Sequence, residues 1–159
     1  MVRRVNIEEL KFDPILHKGY KVIQELEPDL QKLQEEFRWS EHLVLIYPNW
    51  WSTMPAVLKG LFDRFLLPGF AFRMKKDGAY GWTPLLTGRS ARVIITMDAP
   101  PLISRFLFGD NVNEIRDGIL EFCGFHPVRV SKFGPIKDME GVRRERMLAE
   151  VAKLARAGE

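Results

Sequence analysis

The sequence has few of the residues that several classes of functional site require. Only one of its 159 residues is cysteine, so a disulfide within the chain is excluded and an intracellular protein is expected. It contains no His-Glu-x-x-His and no pair of cysteines, and we predict no metal site. Neither Gly-x-Gly-x-x-Gly nor a Gly-Lys-Ser/Thr loop occurs, so a dinucleotide fingerprint and a P-loop are excluded. No Ser-His-acid set is recognisable, and we assign no catalytic residue.

Long apolar runs are missing as well. No stretch of about 18 apolar residues exists, so we expect no membrane span. Residues 1–5 are basic but lack the apolar segment of a signal peptide, and we therefore expect a cytoplasmic protein. The net charge is only +3, which does not indicate a nucleic-acid partner. The composition, 46% hydrophobic and 28% charged, is that of one globular domain over residues 1–159.

Strand-like and helix-like apolar patterns alternate along the chain. Strands are predicted at residues 4–7, 42–47, 92–96 and 127–133, and helices from residue 28, at 55–67, from residue 110 and at 140–157. A surface excursion with a small hairpin is predicted over 68–82. This order predicts parallel strands, right-handed crossovers and a three-layer α/β/α sandwich. The inner face of the last helix is expected to consist of Val142, Leu148, Val151, Leu154 and Ala155.

The most informative stretch joins a buried strand to an amphipathic helix. Residues 42–47 form a short apolar run, and Pro48 ends it because proline has no N–H for a sheet ladder. Two adjacent tryptophans, Trp50 and Trp51, follow, and Pro55 stands where the first turn of a helix tolerates proline. The tryptophans therefore lie at the carboxyl end of a strand, where open α/β sheets bind ligands.

A second loop occupies the same position after the next buried strand. Residues 96–100 follow the run at 92–96, and the two loops are expected to line a flat slot. Backbone N–H groups would face the polar edge of a planar ligand, and a tryptophan would stack on it. The alternative is that Trp50 and Trp51 only close the edge of the core.

Other polar residues give weaker signals. Lys75 and Lys76 could meet a phosphate or form a solvated hairpin tip, and we favour the tip. Cys123 is expected to be a small core residue. Asp63 and Arg64 are expected to form an ion pair or a subunit contact rather than an acid–base couple.

One family resembles this sequence over essentially the whole chain. The run Pro-Ala-x-Leu-Lys-Gly-x-x-Asp-Arg at 55–64, after Tyr47-Pro48-Asn49-Trp50-Trp51, is similar to the flavodoxin-like NAD(P)H:quinone oxidoreductases. The segments at 67–72 and 96–100 also fit that family. The resemblance implies a five-stranded parallel sheet in the order 2-1-3-4-5, a flavin (FMN or FAD), a homodimer, and two-electron, ping-pong reduction of quinones by NAD(P)H.

The resemblance also implies roles for particular residues. The flavin ring would be contacted from two sides by Pro48, Asn49, Trp50, Trp51, Thr96, Met97, Asp98 and Ala99. Trp51 and Phe72 would contact the substrate, with Phe72 coming from the partner subunit. The flavin would carry the hydride chemistry, and the protein would position its ring.

The resemblance has a gap at the N-terminus. Family members begin with a strand, a phosphate-gripping loop and a helix, whereas this chain begins at what resembles their second strand, at 4–7. About one βα unit, of the order of 30 residues, is expected to be absent. Flavin binding is then expected to be weakened or lost, because that loop grips the flavin phosphate. The alternatives are a flavin-poor regulatory subunit that acts through its dimer surface, and a fragment or mis-started form of a longer reductase.

Overall fold

The computed structural model describes residues 1–75, 80–110, 112–137 and 139–158. The strands are β1 (His42–Pro48), β2 (Phe72–Met74), β3 (Trp82–Pro84), β4 (Arg89–Thr96) and β5 (Phe125–Phe133). The helices are α1 (Pro28–Trp39), α2 (Ala56–Phe65), α3 (Pro101–Phe108) and α4 (Gly141–Ala157), with a 3₁₀ helix at Ile7–Glu9 and a π-helix at Glu114–Glu121.

A parallel sheet with the order β1-β4-β5 forms the centre of the molecule. β4 is its middle strand, and five consecutive side chains of β4, from Ala91 to Ile95, are buried. Both faces of β4 are therefore covered, as expected for a parallel sheet. β2 and β3 pair separately as an antiparallel hairpin, which confirms the predicted hairpin within the described residues. Lys76 and Asn111 lie outside the described residues.

The core occupies the face of the sheet on which α1, α2 and the π-helix pack. Aromatic rings join the layers: the ring centroid of Phe37 lies 4.8 Å from that of Phe65 and 6.1 Å from that of Phe125, both edge-on. Ile115 and Leu120 of the π-helix are fully buried in the same cluster. These contacts confirm the predicted α/β sandwich.

The predicted strand at residues 4–7 is wrong. The structure has a 3₁₀ helix at Ile7–Glu9 instead, and the parallel sheet of the described residues has three strands rather than five. The physical reason is that a strand is stabilised by backbone hydrogen bonds to a neighbouring strand. Among the described residues, no strand pairs with the outer edge of β1, so residues 4–7 have no ladder to join.

The expected inner face of α4 is also wrong in part. Val142 and Leu148 are 61% and 55% exposed, and no side chain of α4 is buried. Val151 and Leu154 are only half-buried. An amphipathic pattern predicts which side of a helix would face a neighbour, but it does not supply that neighbour. The prediction also missed α3, an eight-residue helix in which only Ser104 and Arg105 are polar.

Arg64 connects the segment before α1 to α2. Its guanidinium is fully buried and donates from Nε to the carbonyl of Asp13 at 3.0 Å and from Nη2 to the carbonyl of Glu25 at 3.0 Å. Nη2 also donates to the carboxylate of Glu27 at 2.7 Å. Burial raises the pKa of Glu27, but backbone N–H groups and Arg64 lower it by more, so this pKa lies below its ordinary value. Asp63 pairs with Lys59 instead of Arg64.

Replacing Arg64 by methionine should destabilise the fold strongly. Arg64→Met leaves two carbonyls and one carboxylate without their donor, and we expect the free energy of unfolding to fall by about 3 kcal/mol. Urea unfolding followed by circular dichroism measures this. Arg146→Met, on the exposed surface of α4, is the control and should change stability by less than about 0.5 kcal/mol. Equal effects of the two substitutions would contradict the stabilising role of the Arg64 hydrogen bonds.

Candidate functional site

The two loops that the sequence predicts as one site do lie side by side. β1 and β4 pair in register, so that Pro48 is opposite Thr96 at the carboxyl end of both strands. The N–H of Asn49 donates to the carbonyl of Thr96 at 2.7 Å, which extends the pairing by one residue into the loops. Residues 48–51 and 96–99 therefore form adjacent walls at one edge of the sheet.

The first wall ends in a tight, strained turn. Trp50 and Thr53 exchange two backbone hydrogen bonds, at 2.9 and 3.1 Å. The two residues between them, Trp51 and Ser52, have φ values of 52° and 63°. Positive φ at both central positions is typical of type I′ turns, where Asn-Gly is preferred. A tryptophan and a serine in this conformation cost about 1–2 kcal/mol each.

Both tryptophans point into solvent. Trp50 is 60% exposed and Trp51 is 99% exposed. The alternative in which they close the edge of the core is therefore wrong. The structure presents Trp51 as an exposed aromatic side chain at the end of the first loop.

The second wall, residues 96–99, is held by backbone hydrogen bonds of Met97. Met97 is 4% exposed, and its N–H donates to the carbonyl of Phe133 at 2.9 Å. The Met97 carbonyl accepts from the N–H of Ile136 at 3.0 Å. Asp98 is exposed and Ala99 half-buried beyond this anchor. Met97 therefore holds the loop in place, and the residues after it face outward.

Gly134 lets the backbone approach this loop closely. A Cβ at position 134 would lie 2.6 Å from the carbonyl oxygen of Ala99 and 2.8 Å from the carbonyl oxygen of Met97. Any side chain there would have to displace the second wall.

Glu114 is a polar residue of the site that sequence analysis missed. The hydroxyl of Thr53 donates to Oε2 of Glu114 at 2.5 Å, across 61 positions of the chain. Tyr47, buried at the end of β1, has a raised pKa because of burial and, secondarily, the negative charge of Glu114. The sequence offers only an acidic residue near the start of a helix, which is a common feature.

Phe72 lies in a different place from the two loops. It lines a cavity of about 380 Å³. The lining residues are Tyr20, Lys59, Phe62, Asp63, Leu66, Phe72, Glu114, Gly118, Ile119, Phe122 and Cys123. The ring of Phe72 meets that of Phe122 edge-on at 5.1 Å. None of the residues at 48–51 or 96–99 lines this cavity. Glu114, which does line it, accepts the hydrogen bond from Thr53.

Cys123 also lines this cavity. It is 3% exposed, and burial raises the pKa of its thiol to about 12. The thiol is therefore protonated and unreactive at neutral pH, which confirms its prediction as a core residue. In the described ranges no group of three His, Cys, Asp or Glu side chains is arranged to hold a metal. No helix of those ranges is both long and apolar enough to cross a membrane.

The two loops offer an exposed aromatic side chain beside backbone groups at the carboxyl ends of adjacent parallel strands, which suits a planar ligand with a polar edge. Comparison with known proteins identifies the family. A family model described as "Flavodoxin-like fold" matches residues 1–156. The chain belongs to this family.

Flavodoxin-like relatives include named oxidoreductases. An uncharacterized NAD(P)H oxidoreductase of Haemophilus influenzae is 26% identical over 159 residues, covering 96% of this chain and 76% of the relative. The human ribosyldihydronicotinamide dehydrogenase [quinone] is 31% identical over 125 residues, covering 76% of this chain and 52% of the relative. The chain thus spans about half the length of the human relative. These matches confirm the resemblance to NAD(P)H:quinone oxidoreductases.

A solved structure confirms the flavodoxin-like architecture. Smu.1420 from Streptococcus mutans superposes with a TM-score of 0.77 and is 31% identical, covering 92% of this chain and 77% of that chain.

Replacing Gly134 by alanine should disturb the second loop. The new methyl group would collide with backbone atoms of residues 97 and 99, and we expect a loss of about 1–3 kcal/mol in the free energy of unfolding. Thermal unfolding and the amide chemical shifts of residues 96–99 measure this. Gly118→Ala is the matched control, because its nearest neighbour, the Asn113 carbonyl oxygen, lies 3.7 Å away. Undisturbed shifts at 96–99 in Gly134→Ala would contradict the close approach.

Proposed function

We propose that the chain is a flavin-dependent NAD(P)H:quinone oxidoreductase. The observation that carries this proposal is the pair of adjacent loops, 48–51 and 96–99, with Trp51 exposed beside them in a flavodoxin-like chain. The bound flavin would accept a hydride from NAD(P)H and pass it to a quinone in a two-electron, ping-pong reaction. Relatives named for NAD(P)H and quinone support the same reaction class.

The chain's own residues would bind and orient the reactants. Pro48, Asn49, Trp50 and Trp51 would contact one side of the flavin ring, and residues 96–99 the other edge. Trp51 would also offer its face to the planar quinone, because offset aromatic stacking favours flat ligands. A substrate stacked there would exclude water from the exposed indole.

FMN or FAD would be contacted at its ring by residues 48–51 and 96–99. We propose the cytoplasm as the location, in keeping with one buried, unpaired cysteine.

A flavin titration tests the proposed function. FMN or FAD should quench the tryptophan fluorescence saturably, and the loaded protein should oxidise NADH or NADPH when a quinone is added. Trp51→Ala should weaken flavin binding about three- to tenfold by loss of stacking. Trp39→Ala is the control, because Trp39 ends α1 and its ring contacts Arg3, away from both loops. If neither flavin binds the parent chain, the proposed function is wrong.

We further propose that the active form is a homodimer in which Phe72 serves the partner's site. The support is that Phe72 lines a cavity to which neither loop of its own chain contributes a residue. In this arrangement Trp51→Ala and Phe72→Ala should each lower quinone turnover. Unfolding and refolding the two variants together should recover activity, because each mixed dimer contains one intact site. Failure to recover activity, with mixed dimers verified by mass, would show that Phe72 acts elsewhere.

A further inference from the structure

The orientation of Trp51 depends on a turn that its residues do not favour. Trp51 and Ser52 both hold positive φ, and Trp51 has almost no protein surface to pack on. Residues of this kind keep a left-handed conformation only when the surroundings impose it. The turn must therefore be held by contacts outside its two central residues.

Three sets of contacts hold it. Trp50 and Thr53 close the turn with two backbone hydrogen bonds, and Asn49 is bonded to Thr96 in the neighbouring strand. The third contact is the hydrogen bond from the Thr53 hydroxyl to Glu114. It ties the far end of the turn to an element outside the sheet.

Glu114 belongs to a helix that is packed into the core. It is the first residue of the π-helix, where the helix dipole favours an acid. The next residue, Ile115, and Leu120 are fully buried in the core. The hydrogen bond from the Thr53 hydroxyl places the carboxylate beside the turn. Hydrogen bonds to a charged acceptor are stronger than neutral ones.

We propose that Glu114 is the positioning residue of the ring-binding loop. By accepting the hydrogen bond from Thr53 it keeps the strained turn closed and sets the plane of Trp51 against a bound planar ligand. The part of this inference that concerns flavin rests on the proposed function. The part that concerns the turn does not.

Hydrogen exchange of the Trp50 and Thr53 amides tests the turn without any cofactor. Both amides are donors in the closed turn, so their protection reports its opening. Thr53→Val and Glu114→Ala remove the tether and should each speed exchange at these two amides roughly tenfold. Thr53→Ser and Glu114→Gln keep a donor and an acceptor and should restore protection to within about threefold of the parent.

Glu121→Ala is the matched control. It removes an exposed glutamate from the last position of the same helix and should leave both amides at the parent rate. A general loosening of the π-helix would instead speed exchange in all the alanine variants. Equal exchange in the parent, Thr53→Val and Glu114→Ala would overturn the inference.

Flavin binding supplies the second readout. In the variants that lose the tether, the Kd for FMN should rise about fivefold, and the serine and glutamine variants should recover it. Recovery by Glu114→Gln assigns the effect to the hydrogen bond, whereas no recovery would assign it to the charge and overturn positioning through Thr53. A parent chain that binds no flavin refutes the proposed function but leaves the exchange experiment decisive for the turn.

Discussion

The buried guanidinium of Arg64 is the interaction on which the other parts of this structure depend. It ties the carbonyls of Asp13 and Glu25 and the carboxylate of Glu27 to α2. Without it, the segment before α1 would be held mainly by half-buried side chains. Helix α2 follows the first loop directly, so the hydrogen bonds of Arg64 also hold the helix that adjoins the turn at residues 50–53. The close approach of Pro14 to Gly60, where a Cβ would lie 2.5 Å from a carbonyl oxygen, shows how tightly the segment is drawn in.

The exposed indole of Trp51 forgoes the stabilisation that burial would supply. A tryptophan buries about 150–250 Å² when covered, which at about 25 cal/mol per Å² corresponds to roughly 4–6 kcal/mol. Strain at Trp51 and Ser52, which both have positive φ, is a direct cost to the folded state. A planar ligand that covered the indole would bury part of this surface, so the strained turn presents an aromatic face suited to binding.

Sequence alone predicts the position of the two loops better than the contacts that hold them. An apolar run ended by Pro48 predicts a strand, and the loop after it follows from the geometry of parallel sheets. The expectation that this strand is covered on both faces is wrong, because Val44 and Ile46 are 51% and 63% exposed. The same reasoning finds the loop after β4. The prediction fails at residues 4–7, because a strand needs a neighbouring strand to pair with and a local sequence pattern does not show whether one is present. The π-helix is predicted only as a helix, because three turns of apolar periodicity do not distinguish a wider helix from an α-helix.

The contact between Thr53 and Glu114 shows why long-range contacts of the candidate site cannot be predicted from sequence. A threonine in a loop and an acid at a helix start are each ordinary, and their pairing spans 61 positions. What brings them together is the register of β1 with β4 and the burial of the π-helix against the sheet. The two loops are thus local features, whereas their orientation is a property of the assembled core. A substitution far from Trp51 can therefore change the angle at which its indole would meet a ligand.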